Sequence, residues 1–128
     1  MPVRFEPSSQ QPDLGIMTLE GDWNWMDYEP AYKAFLDFAE SMSTPVYLIL
    51  DTTTSGRLPA NVLSLGSSTT RRLPEDMALI VIAGQSTFVR AVADLFLRVN
   101  RWVKVEIKMT ATLEEALDIT QNHRATHH

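Results

Sequence analysis

The sequence predicts an α/β domain built on a single mixed, mainly parallel sheet of about five strands with about four helices, in the order β-β-α-β-α-β-α-β-α. Three observations carry that expectation. Val46–Leu50 (VYLIL) and Met77–Ala83 (MALIVIA) are short runs without a charged residue, as central strands covered on both faces require. Apolar residues at helical spacing precede and follow them. Parallel neighbours also need crossover connections, which right-handed helical links supply.

Val3–Glu6 alternates as a short edge strand, and Ser8–Asp13 is a polar turn. Leu14–Trp23 reads as a strand with Ile16, Thr18 and Glu20 on one side and Met17 and Leu19 on the other. Tyr28, Ala31, Tyr32, Phe35, Phe38, Ala39 and Met42 then recur three or four apart and form the apolar face of a helix. Asp27 is its expected N-cap, because that start puts Pro30 in the first turn. Asn24 is the competing cap and would cost a hydrogen bond at Pro30.

A second helix is expected within Pro59–Arg72, with Pro59 first and Val62, Leu63 and Leu65 inward. Ser86 is the expected N-cap of a third. Phe88, Ala91, Val92, Leu95, Phe96 and Val99 line its apolar side, and Leu97 falls among charges on the wet side. Val103–Met109 alternates as a one-sided strand. Thr112-Leu113-Glu114-Glu115 is a capping box opening a last short helix. Residues 1–120 are expected to form one domain, and the polar residues 121–128 a disordered tail.

The chain has 128 residues and a formal net charge of −5. That charge opposes binding to nucleic-acid phosphates. No cysteine is present, so disulfides, thiolate chemistry and cysteine metal sites are absent. No apolar run is long enough to span a bilayer, and no secretory pattern opens the chain. A cytoplasmic protein is the expectation.

Asp51 ends a central strand, and Thr52, Thr53, Thr54 and Ser55 follow as a hydroxyl-rich loop. Open α/β sheets place ligands at such carboxyl ends, but the same residues equally serve a polar turn. Gly84-Gln85-Ser86-Thr87 forms a second loop of this kind, where a helix N-terminus holds an anion or Ser86 merely caps. Arg57 and Arg90 are the available counter-charges. Trp25 with Met26 is a contact candidate just before the first helix, against ordinary core packing. The carboxylates Asp22, Asp27, Glu29, Asp51, Glu75 and Asp76 show no pairing with a nucleophile. The three histidines (His123, His127, His128) all lie in the tail, so Ser/His/Asp catalysis would need one to fold back. No catalytic residue, metal site or cofactor is expected.

Four stretches carry a family likeness: LGIMTLEGDWNWMDYEPAYKAF, VYLILDTTTSG, ALIVIAGQSTFVRAVADLF and VEIKMTATLEEALDI. Together they resemble the STAS superfamily of bacterial anti-sigma-factor antagonists, in its divergent branch that shares features with Sec14-type lipid-binding domains. The resemblance implies docking of a protein partner such as a kinase-like anti-sigma factor. It also implies a switch Ser or Thr at the start of the second helix, whose phosphorylation ejects that partner. Pro59-Ala60-Asn61-Val62 stands where that run belongs and holds no hydroxyl. A shorter loop would bring Thr54-Ser55-Gly56 nearer the helix start instead.

The expected function is therefore a non-enzymatic interaction module. Its surface would comprise Asp51 to Arg57, Ala60, Asn61 and Leu63, and the loop 84–87. Leu97 would serve self-association in a homodimer. A carrier of a small apolar or lipid-like ligand, with a cavity among Met17, Phe35, Phe38, Met77, Phe88 and Phe96, is the alternative. An enzyme comes third.

Overall fold

The structure, a computed structural model, describes residues 2–56, 72–74, 77–99 and 105–127, with only the backbone of Phe88, Val92, Phe96, Val99 and His127. Strands β1 (Val3–Pro7), β2 (Leu14–Gly21), β3 (Val46–Ser55), β4 (Met77–Ala83) and β5 (Ile107–Thr110) form one sheet in that spatial order. β1 runs antiparallel to β2, and every later pair is parallel. Helix α1 (Trp25–Glu40) joins β2 to β3, α2 (Thr87–Val99) joins β4 to β5, and α3 (Leu113–His127) follows β5. The mixed α/β sheet and its element order are those the sequence predicts. The helix expected over 59–72, and with it Arg57, Ala60, Asn61 and Leu63, lies outside the described residues apart from Arg72. Among the described residues no helix is long and apolar enough to cross a membrane.

Successive strand residues face opposite sides of the sheet and enter two separate cores. On one side Met17, Leu19, Val46, Leu48 and Ile80 meet Tyr28, Ala31, Tyr32, Phe35 and Ala39 of α1. On the other, Leu14, Tyr47, Ile49, Leu79, Val81 and Ala83 meet Ala116 of α3, backed by Leu113 and Leu117. Both faces of β3 and β4 are covered, which explains why VYLIL and MALIVIA carry no charge.

Several boundaries differ from the sequence reading. α1 starts at Trp25 with Asn24, not Asp27, as N-cap. Asn24 Oδ1 accepts from Asp27 N at 2.9 Å, and Asp27 Oδ2 accepts from Asn24 N at 3.1 Å. Two reciprocal bonds outweigh the one that Pro30, now inside the helix, cannot make. Asn24→Ala should lower stability by about 1 kcal/mol in urea titration, while Asn24→Asp should be nearly neutral. β2 stops at Gly21, whose φ of 55° turns the chain before Trp23 re-enters the core.

β3 does not end at Asp51. It runs on to Ser55, so the expected hydroxyl loop is strand. Thr54 pairs with Glu20 and Ser55 with Gly21, and a bulge beyond Asp51 absorbs one extra residue in β3. Branched threonines suit a strand once a partner is available. Finally, residues 121–127 are not a frayed tail but the second half of α3.

Aromatic rings line the inner face of α1. Tyr28 stacks on Tyr32 at 5.6 Å between centroids, and Arg72 lies over the Tyr32 ring at 5.0 Å while pairing with Glu29 at 2.7 Å. Burial is the main cause that pushes both the Tyr28 and Tyr32 hydroxyls well above the ordinary tyrosine range; Arg72 opposes it in each case. The unfolded chain therefore ionises first, so stability should fall as pH rises above about 10. Tyrosinate absorbance should appear together with loss of tertiary structure, not ahead of it.

Candidate functional site

The carboxyl ends of β2, β3 and β4 lie side by side. Parallel pairing brings Gly21, Ser55 and Ala83 to the same end of the sheet. Thr52 is buried there, and its Oγ1 donates to the Ala83 carbonyl at 2.8 Å. Gly84 N donates to the Thr110 carbonyl at 2.9 Å. A Cβ at Gly84 would collide with Thr52 Oγ1, so the glycine is what lets the two segments close up. Gly84→Ala should cost about 1–3 kcal/mol. Adding Thr52→Ala should return part of that loss in a double-mutant cycle read by chemical denaturation.

The other hydroxyls are divided between internal bonds and solvent. Asp51 is buried, and its Oδ1 accepts from Thr53 N at 3.0 Å and Thr53 Oγ1 at 2.6 Å. Ser55 is half-buried, and its Oγ accepts from Trp23 Nε1 at 3.1 Å. Thr53 and Thr54 are exposed. Ser86 caps α2 as the sequence predicts: its Oγ accepts from Val89 N at 3.2 Å and its carbonyl from Arg90 N at 3.1 Å. Gln85, Ser86, Thr87 and Arg90 all face solvent.

Trp25 is half-buried, with its ring against Trp23 at 5.4 Å and Tyr28 at 5.2 Å. Met26 beside it is 85% exposed. On α2 the expected pattern is rotated: Leu97 is half-buried, whereas Leu95, expected to face inward, is 46% exposed. The structure thus brings residues 51–55 and 84–87 together, with Arg57, Ala60, Asn61 and Leu63 undescribed. Among the described residues no cluster of histidine, aspartate and glutamate could hold a metal ion.

At the opposite end of the sheet lies a polar network that sequence reasoning missed. Arg124 reaches back across the chain: Nε donates to Asp13 Oδ2 at 2.9 Å, Nη2 pairs with Asp13 Oδ1, and Nη1 donates to Gln11 Oε1 at 2.8 Å. Thr120 Oγ1 donates to the same Gln11 oxygen at 2.9 Å. The Arg124 guanidinium lies 4.6 Å from the Tyr47 ring centroid. His123 does fold back, onto Tyr47 and Glu106: Nδ1 is 2.8 Å from the Tyr47 hydroxyl and Nε2 is 3.6 Å from Glu106 Oε1. Burial pushes the Tyr47 hydroxyl up, with Arg124 lowering it and Asp13 raising it. Tyr47 is fully buried, and the network fastens the second half of α3 to the start of β2 and β3. The signal was present in the spacing: Leu113, Ala116, Leu117, Thr120, His123 and Arg124 continue one helical stripe past the polar pair Gln121-Asn122.

No family model matches the chain, and no curated protein matches it. A solved structure does: an uncharacterized protein of the DUF3478 family with a SpoIIAA-like fold from Shewanella loihica PV-4. It superimposes with a TM-score of 0.66 at 17% identity, over 91% of this chain and 90% of that one. The chain therefore has a SpoIIAA-like fold. At that identity the likeness is one of fold.

Proposed function

We propose that the chain is a non-enzymatic regulatory module that docks a protein partner through the carboxyl ends of β3 and β4. One observation supports this reading above the others. Among the described residues of this edge, the groups that chemistry would use are committed to internal bonds: Asp51 to Thr53, Thr52 to Ala83, Ser55 to Trp23 and Ser86 to the α2 cap. Thr53, Thr54, Gln85 and Thr87 meanwhile are exposed at this end of the sheet, and Met26 is exposed at the start of α1. A polar rim beside an apolar contact is the composition of a transient protein interface. A kinase-like or sigma-regulatory protein is the partner class that the fold suggests.

The ligand-carrier reading would require the helices to stand away from the sheet. At α1 they do not: Phe5 of β1 packs against Phe35 at 5.8 Å and Phe38 at 5.6 Å, and Met17 and Phe35 are fully buried. The side chains of Phe88 and Phe96 lie outside the described residues. Self-association through α2 would use Leu95, the apolar side chain that the helix exposes, in place of Leu97.

The test is comparative affinity capture from the source cell, using the wild type and a Thr54→Arg/Gln85→Arg variant shown by circular dichroism to be folded. The proposal predicts a discrete protein that the wild type retains and the variant loses. Retention of the same proteins by both would remove this surface as the docking site.

A further inference from the structure

We infer that two copies of this chain pair through β1, antiparallel about a two-fold axis at Phe5, so that their sheets join edge to edge. Among the described residues β1 is an edge strand: β2 pairs with one side of it and no strand with the other. Its backbone groups divide by parity. Glu20 N donates to the Pro2 carbonyl at 2.7 Å, and Ser8 N donates to the Leu14 carbonyl at 2.8 Å. Bonded pairs alternate along an antiparallel ladder, so Arg4 and Glu6 also direct their backbone groups at β2. The N–H and C=O of Val3 and Phe5, and the carbonyl of Pro7, therefore point away from the sheet. Pro7 has no N–H to leave unpaired there, which suits an edge position.

The side chains decide what fits that edge. Val3 and Phe5 turn toward α1, where Val3 is buried and Phe5 is half-buried against Phe38. Arg4 and Glu6 stand on the other face, with side chains 46% and 73% exposed. Charges on an edge ordinarily repel a further strand. Here their order reverses that effect. Pairing Phe5 with Phe5 of a second copy sets Arg4 directly opposite Glu6 of that copy, and Glu6 opposite its Arg4. The two Phe5 residues exchange both backbone bonds, and each Val3 N–H meets the other copy's Pro7 carbonyl. Moving the axis to Arg4 or to Glu6 sets like charges face to face, which is destabilising. Val-Arg-Phe-Glu-Pro is thus complementary to itself in one register, and a second copy carries the pattern of necessity.

Arg4 has the capacity for the new partner. Its Nη1 pairs with Glu20 and its Nε lies 3.7 Å from Glu6 of the same chain, which leaves Nη2 among the described contacts. Phe5 also gains a cross-strand ring on the α1 face. A two-fold contact uses both β1 edges at once, so association through this surface closes at a dimer. A five-residue strand on each side falls short of a standard interface. The dissociation constant is accordingly on the order of 10–500 μM.

Sedimentation equilibrium of the full chain between about 10 μM and 1 mM tests this, with circular dichroism confirming that each variant is folded. Wild type should pass from monomer to dimer over that range. Arg4→Glu and Glu6→Arg should each weaken self-association about tenfold or more, because each sets like charges opposite one another at both symmetric positions. An equimolar mixture of the two variants should recover it, because their reversed charges are complementary across the same axis. Leu95→Glu should associate as wild type does. Exchange of the Phe5 amide should slow as wild-type concentration rises, and that slowing should vanish in either charge variant. A wild type that stays monomeric at the highest concentration would overturn the inference. So would a mixture that fails to recover association, or loss of association in Leu95→Glu. Protection of Phe5 that appears only when cell extract is added would assign the edge to another protein and overturn it equally.

Discussion

Phe35→Ala should lower the free energy of unfolding by about 3–5 kcal/mol, the largest loss expected of a single truncation in this chain. Phe35 is fully buried at the centre of the α1 core. Its ring meets Phe5 edge-on at 5.8 Å and Tyr32 at 6.0 Å, so truncation removes partners as well as area. The backbone beneath it cannot collapse inward, because β2 is fixed on both sides by β1 and β3. Gly15 of β2 also lies under the Phe5 and Phe35 rings, and its missing side chain is what makes room for them. Phe35→Leu, which keeps most of the volume, should lose far less. Urea titration of both variants measures the difference, with an unchanged m-value showing that the native state is still compact.

The second large effect is at the other end of the sheet. Asp13→Ala should lower stability by about 2–4 kcal/mol. The Asp13 and Arg124 side chains are only 13% and 25% exposed, so the pair is better shielded than an ordinary surface bridge. Removing the carboxylate leaves the guanidinium over the Tyr47 ring with only Gln11 to receive it. Arg124→Met should be milder, since it removes the stranded charge along with the pair and keeps an apolar stem against Tyr47. Asp13→Ala/Arg124→Met should therefore sit closer to Arg124→Met than to the sum of the two changes. Limited proteolysis would localise the defect, with early cleavage confined to the second half of α3.

The elements that the sequence revealed are those whose evidence is local. VYLIL and MALIVIA are apolar on both faces because two layers cover them, and the stripe from Tyr28 to Ala39 repeats at the period of the helix it forms. Two of the misreadings have a common physical origin: each depended on a partner distant in sequence. Thr52–Ser55 has loop-like chemistry, and it becomes strand because Glu20 and Gly21 supply a ladder beside it. The second half of α3 looks frayed by composition, but Asp13, 111 residues earlier, receives Arg124. Asn24 was passed over because Pro30 was weighed against a single cap bond, whereas the cap forms two. At the candidate site the clustering of 51–55 with 84–87 was legible from strand order. Which hydroxyls face outward was not, because the bulge after Asp51 sets their directions.

The central claim is that the carboxyl-end rim meets another protein. Site-specific photo-crosslinking in the source cell tests it most directly, with a photoreactive side chain placed in turn at Thr54, Gln85, Lys33 and Gln121. All four positions are exposed; Lys33 lies in the middle of α1, and Gln121 in the half of α3 that reaches the opposite end of the sheet. The account predicts one discrete adduct from Thr54 and Gln85, absent from Lys33 and Gln121, and competed away by unlabelled wild type. Adducts that are absent from the rim positions, or equally strong from the two control positions, would contradict it.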